Sequence, residues 1–253
     1  MEKNNFLIFN DIVYSLYSCN TVEELREQFL KRLKMLIPYT YASILLADSS
    51  GDDDKIYQPT PLCVPKSFCE AELEYIRHAD KDHLLWLIHQ KESVLVRESD
   101  LMPEKSRLAS SLYLLCYQKY NIYDTLQYSI VCHQKFLGVL TLFRTKIDGL
   151  FSDDDMFYLR SFGIHLNVVL NQICYGKSEI HELTKTKNLR ELTDNYHLTQ
   201  KESEILTLLF DFRDNADIAA ALSIRENTLQ KHIQNIFRKM EVSSKWELLK
   251  YYR

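Results

Sequence analysis

The segment from Arg225 to Met240 constrains the fold most, because its side chains sort into two faces at helical spacing. Leu229, Ile233, Ile236, Phe237 and Met240 fall on one side. Asn227, Lys231, Gln234, Asn235 and Arg238 fall on the other. The apolar stripe needs a core, and two helical segments upstream can supply it. The first opens at Thr199, which with Glu202 makes a capping box, and turns Ile205, Leu206 and Leu209 inward. The second starts near Asn215 and contributes Ile218, Ala219 and Leu222; its alanines allow close helix approach. An outward row of Asn, Gln, Lys and Arg suits the major groove of DNA. Amides pair with adenine edges, and cations with guanine edges or phosphates. Any surface helix has a polar face, so amphipathicity alone does not decide the matter.

The order of residues decides more. LTQKESEIL, DIAAALSI and TLQKHIQNIFRKMEVSSKWEL together resemble the LuxR-type helix-turn-helix signature without a gap. The matching positions are Leu198, Thr199, Glu202, Ile205 and Leu206, then Ile218, Ala219 and Leu222. They continue with Thr228, His232, Asn235, Ile236, Lys239, Val242 and Ser244. The resemblance implies an all-α four-helix domain over 198–253 that binds double-stranded DNA, and so a transcription regulator. It implies that Thr228 holds a phosphate near the helix start. It places Gln230 and Lys231 at the main base and phosphate contacts, with Asn235 and Lys239 continuing along the backbone. Arg225, Asn227, Gln234 and Arg238 complete the expected DNA-binding set. The last helix, with Trp246, Leu249 and Tyr252, is expected to pair two subunits into a homodimer; the alternative is that it packs on its own domain. Four positions depart from the pattern. Phe212 stands for a turn glycine, Arg225 for a capping serine, Gln230 for a lysine, and Glu241 for a glycine after the third helix. Loss of the cap costs about 1 kcal/mol.

Net charge is −4, an unusual balance for a DNA binder until it is divided along the chain. From Arg225 onward seven cations face three acids, so the tail is +4 and the rest −8. The six cysteines, Cys19, Cys63, Cys69, Cys116, Cys132 and Cys174, form no CxxC pair and no zinc spacing, and read as reduced thiols. No metal site is expected, and no cofactor is required for DNA binding. The chain carries no long apolar run of the kind that crosses or targets a membrane, which points to a cytoplasmic protein without a membrane partner.

The front of the chain reads as α+β. Helices are expected over 6–17 and from Thr21, whose pairing with Glu24 makes a capping box, to Pro38. YASILLA is a buried strand, and Asp52–Asp54 lie in a solvated turn. Residues 55–68 read as irregular, 70–90 as helical, Val94–Arg97 as a strand and Leu108–Lys119 as helical. Thr125–Val131 and Phe136–Arg144 form a hairpin, with Gly138 marking a bulge or a close backbone contact. Ser152 and Asp155 cap a long helix to about Tyr175.

YASILLA, VLVRESDLMP and the run from Tyr128 to GLFSDDDMFYLRSFGIHLNVVLN resemble a GAF domain, a small sensory fold around a central antiparallel sheet. The expected organisation is a GAF-like sensory or dimerisation domain over 1–175, a partly helical linker over 176–197, and the LuxR-type domain over 198–253. Ile180, Leu183, Leu189 and Leu192 could form a seam in the linker. GAF-like folds often hold a small ligand over the sheet, and Trp86, Tyr113, Tyr117, Tyr128 and His133 are the candidates to line such a pocket for an effector of unknown identity. The same aromatics also suit a plain core. The sequence holds no GxGxxG, P-loop, GxSxG or HExxH motif. A non-enzymatic regulator is the expectation; the alternative is a redox or metabolite-binding enzyme on the GAF-like fold, with the tail as a docking adaptor.

Overall fold

The computed structural model describes residues 3–48, 56–176, 189–211, 213–249 and 251. The chain divides into two units, Met1–Gly176 and Lys177–Arg253.

Five antiparallel strands form the middle of the N-terminal unit. They are β1 (Tyr41–Leu46), β2 (Leu62–Val64), β3 (Leu95–Arg97), β4 (Ile122–Cys132) and β5 (Lys135–Thr145), in the order β2-β1-β5-β4-β3. This is the central antiparallel sheet expected of a GAF-like fold. The β4–β5 hairpin turns at His133 and Gln134, with φ values of 52° and 61°. Two left-handed residues in a two-residue turn follow the twist of the strands they join. β1 pairs with β5 from Tyr41↔Phe143 to Leu46↔Gly138. A Cβ on Gly138 would lie 2.2 Å from the Leu45 carbonyl oxygen, so bare backbone is needed where the two strands meet.

One face of the sheet presents Ala42, Ile44, Leu126, Tyr128, Ile130 and Leu140. It packs on α1 (Lys3–Tyr17), on α2 (22–33, with a π turn at Leu25–Leu30) and on a long helix described below. The cap of α2 differs in detail from expectation: Thr21 Oγ1 accepts from the Glu24 amide, but the Glu24 carboxylate takes the Asn20 amide instead of that of Thr21.

The other face is covered by short pieces. These are α3 (Cys69–Arg77), α4 (Glu98–Leu101), α5 (Glu104–Leu108) and several single turns. Three expectations change here. The helix over 70–90 stops at Arg77 and gives way to 3₁₀ turns at Ala79–Lys81 and Leu85–His89. The helix over 108–119 is replaced by a π turn at Tyr113–Tyr117 and a 3₁₀ turn at Gln118–Tyr120. The proline-rich stretch read as irregular contains β2, an edge strand, which is where flanking prolines are tolerated.

The long helix α6 (Asp153–Tyr175) starts at the predicted Ser152/Asp155 capping box. Its Gly163 lies on the Tyr128 ring, where a Cβ would come within 2.2 Å of Cζ.

In the C-terminal unit, residues 189–195 are helical and are followed by α7 (Gln200–Phe210), α8 (Asn215–Ala221), α9 (Glu226–Lys239) and α10 (Lys245–Leu249). Leu198, Ile205, Leu206, Leu209, Ile218, Leu229, Ile236, Met240 and Leu248 form the core. Leu189, Leu192 and Tyr196 pack against it. The back half of the predicted linker is thus tied to the C-terminal core by apolar contact. Ile180, Leu183 and Asp52–Asp54 lie outside the described residues.

Candidate nucleic-acid interface

Three caps set the geometry of the C-terminal unit. At α7, Thr199 accepts from the Glu202 amide, while the Glu202 carboxylate takes the Thr199 amide at 2.8 Å. At α8, Asp214 accepts from the Asp217 amide at 2.8 Å. The turn from α8 to α9 is closed by Ser223 in the left-handed region, φ 52°. The Ile224 amide reaches back to the Ala219 carbonyl at 3.0 Å, and the Ser223 amide to Ala220 at 3.1 Å. These bonds satisfy carbonyls that the end of α8 leaves open and redirect the chain into α9.

α9 buries one face and shows the other. Leu229 and Ile236 are fully buried, with Ile233 and Phe237 packed beside them. Arg225, Asn227, Thr228, Gln230, Lys231, Gln234 and Arg238 are exposed; Asn235 and His232 are half-buried. The helix therefore presents a continuous row of donors and acceptors with a cation at each end.

Lys239 stands apart from that row. Its Nζ lies 2.7 Å from Glu202 Oε2 and donates to the His197 carbonyl at 2.9 Å. The resemblance assigns Lys239 to the DNA backbone; within the domain it ties the end of α9 to the capping box of α7. Burial alone would raise the Glu202 carboxyl, but Lys239 and the Thr199 donors outweigh it and hold it below the ordinary glutamate value.

The pattern of bacterial regulatory proteins of the luxR family matches residues 196–252. The C-terminal unit is a LuxR-type helix-turn-helix domain. YhcZ, an uncharacterized transcriptional regulatory protein of Bacillus subtilis (strain 168), is 39% identical over 67 residues, covering 26% of this chain and 31% of that protein. The CsgBAC operon transcriptional regulatory protein of Escherichia coli (strain K12) is 35% identical over 83 residues, covering 32% of this chain and 38% of that protein. The matches thus span about a third of the length of these relatives. Among solved structures, Escherichia coli SdiA aligns over 98% of this chain and 96% of its own, at 16% identity and a TM-score of 0.47.

Two of the departures in this LuxR-type domain leave physical traces, while Phe212 lies outside the described residues. Arg225 sits at the N-cap of α9 without a side-chain cap bond. Glu241 follows α9 at φ 54°, in the left-handed region that favours glycine. The Val242 amide still reaches the Phe237 carbonyl at 3.0 Å, so the helix end closes despite the glutamate. In α10, Leu248 is fully buried in the domain core, and Tyr251 just beyond packs edge-on against Tyr196. Tyr252 and the side chains of Trp246 and Leu249 lie outside what is described.

The expected pocket residues do not come together. Tyr113 and Tyr117 line a cavity of about 30 Å³ between the sheet and the short elements of its outer face. Trp86 is 43% exposed and is not among the lining residues. Tyr128 points to the opposite face, against Gly163 and Asn167, because β4 alternates its side chains. His133 sits in the β4–β5 turn. Periodicity and motif spacing gave no sign of the charged residues Asp82, Glu98 and Arg107 that line this cavity beside His83. They lie in stretches whose charges resemble a solvated helix face.

Thiol chemistry finds little support. Burial pushes Cys19 up to about 11 and Cys116 up to about 12, and also raises Cys63 and Cys132. An attacking thiolate needs the opposite shift. Among the described residues no helix is long and apolar enough to cross a membrane, and no group of three His, Cys, Asp or Glu side chains could hold a metal ion.

Proposed function

We propose that the chain is a sequence-specific DNA-binding transcription regulator that works as a homodimer in the cytoplasm. The supporting observation is the division of α9, whose apolar face carries the domain core while Asn227, Gln230, Lys231, Gln234 and Arg238 stand in solvent. A helix so anchored enters the major groove without disturbing its own fold. Thr228, Lys231 and Asn235 are assigned to the phosphate backbone, and Gln230 and Gln234 to base edges, with Arg225 beside the first phosphates. The relatives' names as transcriptional regulators point the same way. In this reading the N-terminal unit senses a small effector and modulates DNA binding.

Selection of genomic fragments with the purified full-length chain tests the reading. Enrichment of one motif with two-fold symmetry is the expected result, since paired subunits read half-sites about one helical turn apart. Recovery of unenriched fragments would count against sequence-specific regulation, and a single unpaired motif would count against the dimer.

A further inference from the structure

Buried charges on the outer face of the N-terminal sheet are incompletely paired. Arg107 is 5% exposed. Its Nη1 donates to the Ile122 carbonyl at 2.8 Å, while its Nη2 is buried without a hydrogen-bond partner among the described residues. Glu98, on the preceding helix α4, is nearly as buried. Its Oε2 accepts from Thr125 Oγ1 at 3.2 Å but stays 4.0 Å from Arg107 Nε, and its Oε1 is 3.9 Å from His83 Nε2. Both distances exceed hydrogen-bond reach. Burial pushes the Glu98 carboxyl up to about 7 even against the pull of Arg107 and the Thr125 hydroxyl, which is the one donor within hydrogen-bond reach of its charged form among the described residues.

These two groups share the cavity of about 30 Å³, which is floored by Thr125 and Phe143 and bordered by His83 at the surface. That volume admits roughly the two or three heavy atoms at the tip of a ligand. Its chemistry is selective. An anion would meet the unpaired Arg107 nitrogen but also Glu98 and Asp82. A cation would meet the carboxylates but also the guanidinium. A neutral group with an acceptor next to a donor satisfies both sides at once.

We infer that this cavity binds the carboxamide or lactam edge of a small neutral molecule, whose carbonyl oxygen takes Arg107 Nη2 and whose N–H faces Glu98. The sensor reading is needed only for the consequence of binding, not for binding itself.

Three isosteres separate the possibilities: benzamide carries donor and acceptor, benzoate acceptors only, and benzamidine donors only. Ligand-observed NMR titration of the full-length chain without DNA is expected to show benzamide binding at least about tenfold more tightly than either isostere. Arg107→Met, with unchanged circular dichroism, should abolish the difference. If that variant does not fold, Ser110→Leu serves instead, because it narrows the cavity while leaving the Arg107 side chain in place and keeping the backbone bond from the Ser110 position to the Arg107 carbonyl, and it should remove benzamide binding. Equal binding of the three by the unaltered chain, preference for benzoate, a benzamide preference that persists in folded Arg107→Met, benzamide binding that persists in Ser110→Leu, or no benzamide signal at about 10 mM would overturn the inference. If benzamide binds as expected but DNA affinity does not change at saturation, the site stands and the sensor reading falls.

Discussion

In the N-terminal unit, Glu72 and Glu98 are buried beneath short loops with hydroxyls as hydrogen-bond partners: Ser43 and Tyr117 for the first, Thr125 for the second. In the C-terminal unit, Glu202 also exposes little surface, but it sits nearer the solvent and meets the Lys239 ammonium and two donors from Thr199. The first pair is pushed up to about 7 by desolvation, and Glu202 is held below its usual value. One unit bears a cost for its buried acids, while the other uses its acid to join two helices. The difference is what separates a polar cavity open to a ligand from a finished scaffold.

The sharpest way to break this comparison is pH. Between about 4.5 and 7 the folded N-terminal unit holds protons on Glu72 and Glu98 that the unfolded chain has released. Its stability should therefore fall as pH rises through that window and level off above it. Each glutamate accounts for about 3 kcal/mol. Chemical denaturation followed in the N-terminal unit should show the slope, and Glu72→Gln with Glu98→Gln should flatten it. Glu202 acts with the opposite sign: its stabilisation is complete above about 4.5 and is lost as pH falls through its lowered value. A C-terminal unit that gains stability on acidification would contradict the assignment.

Next in size is the removal of Lys239. Lys239→Met leaves Glu202 buried without its cation and should cost the C-terminal unit about 2 kcal/mol, seen as a lower melting temperature for that unit. If instead its stability holds and only DNA affinity drops, Lys239 belongs to the DNA-binding set. A smaller effect of opposite sign is expected at the end of α9. Glu241→Gly relieves a left-handed glutamate and should stabilise the domain by about 1 kcal/mol in denaturant titration.

The C-terminal unit was easier to read from sequence because its determinants are local. Thr199 and Glu202 lie three residues apart, Leu229 and Ile236 seven, and helical periodicity reports such spacings directly. The second bond of Glu202 was not legible, since Lys239 is 37 residues away and the resemblance assigned it to the DNA backbone. The N-terminal unit shows the same limit on a larger scale. The hairpin at His133–Gln134 and the close approach at Gly138 were visible, because a turn and an isolated glycine are local signals. The cavity was not visible. It needs Glu98, Arg107 and Thr125 to meet from α4, α5 and β4, and nothing in their local spacing announces it. Tyr128 misled for a related reason: the strand is buried on both faces, so composition could not say which side the ring takes.

The central claim is that the exposed row of α9 holds duplex DNA. Its most direct test is the salt dependence of DNA affinity, measured by fluorescence anisotropy for the full-length chain and for Lys231→Ala. Affinity should fall linearly on logarithmic axes as salt rises. Lys231→Ala should bind all sequences more weakly, with a slope shallower by about one. A wild-type chain that ignores duplexes even at low ionic strength would contradict the account, and an unchanged slope in the variant would remove Lys231 from the interface.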